Sequence, residues 1–128
     1  MVRYISKEEH EISSRYLFVD LTIKTIEVDL NRLEKLNLFK IKEVYVHLLE
    51  KLLEIGIEER RQLKKILKKD DIQVVLTEKR EDFTEYTFFV KGHQVAKNYW
   101  NYHIRNRVRD IMNEWLNNLG DLNRDIKL

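Results

Sequence analysis

The stretch Arg60-Arg61-Gln62-Leu63-Lys64-Lys65-Ile66-Leu67-Lys68-Lys69 concentrates positive charge in one short run. On a helix, Arg60, Lys64 and Lys68 form one row, and Arg61, Lys65 and Lys69 form the next. Six cations then share a face opposite Leu63, Ile66 and Leu67, a pattern able to meet nucleic-acid phosphates. A plainer chemistry fits the same residues. Cations favour a helix C-terminus, where they meet unpaired carbonyls and the negative dipole end. Glu58-Glu59 before the run and Asp70-Asp71 after it suit an ordinary solvated helix.

Lys79 and Arg80 belong with this candidate, because they fall at the tip of an expected β-hairpin just downstream. A basic helix followed by such a hairpin resembles the recognition helix and wing of a winged helix in element order alone. The chain departs from that pattern by opening on a long heptad helix. A second candidate is Asn98-Tyr99-Trp100-Asn101-Tyr102-His103-Ile104-Arg105-Asn106-Arg107-Val108-Arg109, where aromatics interleaved with Arg and Asn can stack bases. Trp100, Ile104 and Val108 within it fall on an apolar helical stripe, which favours a core role.

Other chemistries are poorly supplied. His10, His47, His93 and His103 are scattered, with no His-x-x-x-His or Glu-x-x-His pair, so no metal site is expected. His47 lies near an apolar stripe and reads as a partly buried core residue. The serines, Ser6, Ser13 and Ser14, all fall in or cap the first helix. No Gly-x-Ser-x-Gly elbow and no phosphate-binding glycine loop occurs. No catalytic residue and no cofactor is therefore assigned.

Composition narrows the class further. The chain has 128 residues, no cysteine, no proline and three glycines, so disulfide scaffolds and Cys-based zinc sites are out. Its 24 basic and 22 acidic residues are mixed along the chain, and no charged tail implies bulk attraction to an anionic surface. No apolar run is long enough to span a membrane and no signal core opens the chain, which points to the cytoplasm.

The elements that would carry these residues are mostly helical. Ser6-Lys7-Glu8-Glu9 spells a capping box. Ile12, Tyr16, Val19, Ile23, Ile26, Leu30 and Leu33 then recur at alternating spacings of 4 and 3, a heptad stripe about 32 Å long. Leu17, Leu21 and Val28 lie off that stripe, so this helix is apolar on two sides. It sits centrally or meets a second subunit. A rival strand reading of residues 17–23 loses its alternation before Ile26, whereas the helical period continues.

Asn37-Leu38-Phe39-Lys40 is the expected connection. Ile41, Tyr45, Leu48, Leu52 and Ile55 mark a second helix, which Gly56 either breaks or tolerates before the basic run. Residues 72–91 change period and predict a β-hairpin, with Ile72, Val74 and Leu76 facing Tyr86, Phe88 and Val90 across a loop longer than two residues. Gly92 then punctuates. A last helix is expected from about Gln94 to Leu119 on the stripe Trp100, Ile104, Val108, Ile111, Trp115 and Leu119. Gly120 should end it and residues 121–128 should fray.

Phe89-Val90-Lys91-Gly92, Asn98-Tyr99-Trp100-Asn101 and Ile104-Arg105-Asn106-Arg107-Val108 together resemble small uncharacterised proteins of low-GC, spore-forming bacteria. The resemblance covers the last third of the chain. It implies a bacterial origin and no activity.

The expected architecture is a single mainly α domain, a bundle of three helices (four if broken at Gly56) with one β-hairpin before the last helix. The expected role is a non-enzymatic interaction or regulatory module of the bacterial cytoplasm. It would pair with another protein or form a homodimer, through the hairpin edge or through Ile12, Tyr16, Leu17, Val19, Leu21, Ile23 and Val28 on helix 1. The alternative is a nucleic-acid-binding regulator using Arg60, Arg61, Lys64, Lys65, Lys68, Lys69, Lys79 and Arg80.

Overall fold

Ser6 starts the first helix by the expected exchange. Its hydroxyl accepts from the Glu9 amide at 3.1 Å, and its own amide donates to the Glu9 carboxylate at 3.0 Å. The computed structural model describes residues 5–36 and 40–125, with side chains over 5–36 and 42–120. Helix α1 runs Lys7–Lys35 without a break, so the helical period prevails over the strand reading. Helix α2 spans Lys40–Lys69, and residues 37–39 of the expected connection lie outside the described residues. Strands β1 (Ile72–Lys79), β2 (Phe83–Val90) and β3 (His93–Trp100) follow, then α3 (Asn101–Asp125).

The two long helices run antiparallel. Lys42 reaches the Glu34 carbonyl near one end, Arg60 meets Asp20 in the middle, and Ile12 packs beside Leu67 at the other. Gly56 lies inside an unbroken α2 and is buried. A Cβ built there would stand 2.6 Å from Trp115 Cη2 and 3.0 Å from Ile23 Cγ1. The glycine is thus a notch that admits the indole, and the cost of glycine in a helix is offset by burying a tryptophan.

Leu17, Phe18, Val19, Ile23 and Ile26 of α1 form the core with Leu52, Tyr86, Phe88, Ile111 and Trp115 from α2, β2 and α3. Each such side chain contributes about 1.5–3 kcal/mol on full burial. Helix α1 is therefore central, touching α2, α3 and the sheet. Its buried hydroxyls are satisfied within the helix, Ser13 by the Glu9 carbonyl and Thr22 by the Phe18 carbonyl.

The expected hairpin is two strands of a three-stranded antiparallel meander, ordered β1-β2-β3. Lys91 and Gly92 join β2 to β3, both at positive φ (51° and 83°), the backbone of a two-residue hairpin turn. Gly92 therefore turns strand into strand, not hairpin into helix. The last helix begins at Asn101, not Gln94, and Trp100 ends β3 with 48% of its surface exposed instead of joining the buried stripe. Gly120 does not end α3, which runs on to Asp125; residues 126–128 of the expected frayed tail lie outside the described residues.

Both sheet edges are blunted against pairing with another strand. A register irregularity interrupts β1 between Leu76 and Glu78. On β3, half-buried Lys97 shares a row with buried Tyr86, so it stands on the core side of an edge strand.

Candidate interaction surfaces

The basic run of α2 divides once folded. Arg60 turns inward to Asp20 at 2.9 Å, and Lys24 takes the other oxygen of that carboxylate at 2.8 Å. Burial works against the Asp20 charge, yet the two cations hold its carboxyl below the ordinary value. Arg61 clamps Glu58 at 2.7 and 3.0 Å. Lys64, Lys65, Lys68 and Lys69 are exposed and make no ion pair among the described residues.

Arg80 folds back on Glu78 at 2.8 Å, and exposed Lys79 at the expected hairpin tip makes no ion pair among the described residues. Eight residues of β1 lie between α2 and that tip, about 25 Å of extended chain. The strand folds back beside α2, so Lys64 and Lys68 line one cleft with Gln73, Val74 and Val75, while Lys79 lines another with Asp20 and Lys24.

The candidate face on α1 is largely consumed by the fold. Leu17, Val19 and Ile23 are in the core, while Ile12 and Tyr16 pack on Leu67, Ile72 and Val90. Leu21 is half-buried and Val28 is 48% exposed. A half-buried charged knot then ties the three helices. Arg15 of α1 donates to Glu59 of α2 at 2.6 and 2.9 Å and to Glu114 of α3 at 3.0 and 3.1 Å. Trp115 Nε1 donates to the same Glu59 at 3.1 Å. Desolvation opposes the Glu59 charge, but the guanidinium and the indole N–H outweigh it and keep that carboxyl below the ordinary range.

The aromatic segment splits in the same way. Tyr99 packs edge-on against Phe18, and Arg107 lies over the Phe18 ring at 5.4 Å. Trp100 and Tyr102 are exposed, with Trp100 against Phe83 at 3.9 Å between ring centroids. The histidines stay apart. His47 is exposed, not partly buried as its spacing suggested, whereas His10 rests edge-on against Phe88. Burial and Lys97 lower the His10 pKa. Among the described residues, no three His, Asp or Glu side chains group to hold a metal ion.

Leu21 and Val28 instead open onto a groove between α1 and α3, with a cavity volume of about 510 Å³. Its floor is apolar, from Leu21 and Val28 on α1 and Ile104, Val108 and Met112 on α3. Its rim is cationic, from Lys24 and Arg32 on one side and Arg105 and Arg109 on the other, with Asp29 the one acidic residue lining it. Among the described residues, Arg32, Arg105 and Arg109 have no carboxylate within ion-pair distance. Leu21 to Arg32 spans about 16 Å of helix. Toward the sheet the groove meets a second cleft, which shares Leu21, Lys24, Ile104 and Arg105. The sequence signal for this groove was an Arg105/Arg109 pair one turn apart beside the row Ile104, Val108, Met112. The row across from it lies some eighty residues upstream and becomes its partner only in the fold.

The family model described as YhjD protein matches residues 4–120. An uncharacterised protein YhjD of Bacillus subtilis (strain 168) is 30% identical over 112 residues, covering 88% of this chain and 92% of the relative. A relative in a spore-forming, low-GC bacterium agrees with the resemblance seen in the sequence. No solved structure matches the chain. Among the described residues, no helix is long and apolar enough to cross a membrane.

Proposed function

We propose that this chain, which belongs to the YhjD family, is a non-enzymatic interaction module of the bacterial cytoplasm. Its groove between α1 and α3 receives an acidic amphipathic helix of a partner protein. The observation that carries this reading is the set of three arginines without ion partners among the described residues, Arg32, Arg105 and Arg109, around an apolar floor. A helix laid between two helices buries its apolar face on such a floor and presents its flanks to the rims. Glutamates on those flanks would meet the arginines, and lysines would be repelled.

The test is fluorescence anisotropy with two labelled peptides of about three helical turns. Both carry a leucine face; one is flanked by glutamates and the other by lysines. The glutamate peptide should bind, and R105E/R109E should weaken it at least tenfold. Equal binding of both peptides, or no effect of the double substitution, would contradict the reading.

A second reading is nucleic-acid binding by Lys64, Lys65, Lys68 and Lys69, which are exposed and free of ion pairs among the described residues. It requires binding to generic duplex DNA that falls steeply with salt and is abolished by K64E/K68E.

A further inference from the structure

The outer side of α2 carries a charge pattern that the monomer leaves unanswered. Leu52, Gly56 and Leu67 face the core. At 100° per residue, the opposite side bears Glu43, Glu50 and Glu54 in its first half, then Ile57, then Arg61, Lys64 and Lys68. All seven are exposed and, with His47, they form one stripe with alternating steps of four and three. Along this stripe acid fills one half and base the other, with exposed Lys51 flanking the acidic half.

This segregation works against the isolated helix. It sets Glu50 beside Glu54, Glu54 beside Glu58, Arg61 beside Lys65 and Lys64 beside Lys68, each one turn apart, where like charges repel. Among the described residues, Glu58–Arg61 is the one ion pair along this face, and it sits where the sign changes. The helix dipole accounts for acid in the first turn and base in the last. It does not account for Glu50, Glu54 or Arg61, which lie two or more turns from either end of Lys40–Lys69.

We propose that a second copy of this chain docks antiparallel along the outer face of α2. Reversing the stripe onto itself sets Glu43 opposite Lys68 and Glu50 opposite Arg61, twice over, about a two-fold axis between Glu54 and Ile57. That is the self-complementarity an isologous dimer requires. Ile57, 45% exposed, lies beside the axis near its counterpart and supplies an apolar centre. Parallel pairing would set acid on acid. The other routes to a dimer are weaker: most of the candidate face on α1 is buried in the fold and both strand edges are blunted. This interface is separate from the groove and uses none of its residues.

Sedimentation equilibrium with four proteins tests it. E43K/E50K makes the four paired positions all basic and R61E/K68E makes them all acidic. The unaltered chain should dimerise at hundreds of micromolar in low salt, less so as salt rises. Each double variant alone should bind itself at least tenfold more weakly. An equimolar mixture of the two should form heterodimers, and the quadruple variant should regain the homodimer. Far-UV circular dichroism checks that each remains helical; if one double variant unfolds, the quadruple variant and the salt series still decide. A monomeric unaltered chain, dimers insensitive to either reversal, or a mixture that does not associate would overturn the proposal.

Discussion

Trp115 occupies the space that a side chain at residue 56 would fill: its Cη2 and Cζ3 atoms lie 2.6 and 2.8 Å from where a Gly56 Cβ would stand. The ring is 1% exposed and its indole N–H is committed to Glu59, so it has little freedom to retreat.

Gly56→Ala should therefore destabilise the fold. Overpacking a core costs about 1–3 kcal/mol, against a helix-propensity gain of at most about 1 kcal/mol. Gly120 is the control, since it also lies within a helix but a Cβ there meets nothing within 4 Å. Gly120→Ala should stabilise by about 0.5–1 kcal/mol. Urea unfolding of both variants reads the opposite signs.

The Arg15 knot predicts an acid-sensitive fold. Glu59, Asp20 and Glu9 are all held below their ordinary pKa. The unfolded chain therefore takes up protons first as the pH falls. The stability these carboxylates add is complete above the ordinary carboxylate range and is lost as the pH drops through that range and below. Arg15→Ala should cost about 2 kcal/mol at neutral pH, less than a fully buried pair because the side chain is 27% exposed. Glu59→Gln should flatten the acid limb of a stability-against-pH curve.

The turn between β2 and β3 makes a third prediction. Gly92 sits at φ 83°, a region that side chains with a Cβ rarely enter. Gly92→Ala should cost about 1 kcal/mol. Lys91→Gly should be milder, because it relieves a non-glycine φ of 51° and this offsets the loss of a 3.5 Å contact to Glu9. Thermal melts of the two variants give the ranking.

Local signals were readable where the physics is local. The capping box at Ser6 and the heptad stripe of α1 depend on residues a turn or two apart, and both describe the folded helix. Strand β3 was hidden because His93–Trp100 alternates weakly. The step from Trp100 to Ile104 also continues the helical stripe backwards without a break. Gly56 was ambiguous in sequence because its reason for being glycine is an indole fifty-nine residues downstream. The basic run was visible, but not the withdrawal of Arg60 to Asp20, forty residues upstream. The groove required α1 and α3 to meet, which no spacing along one helix encodes.

The central claim is that the groove is the docking site for a partner helix. The most direct measurement is an amide chemical-shift map of isotope-labelled protein titrated with the glutamate-flanked peptide. Shifts confined to Leu21–Arg32 and Ile104–Met112, saturating together, are the predicted result. Shifts centred on Lys64–Lys69, or none at millimolar peptide, would contradict it.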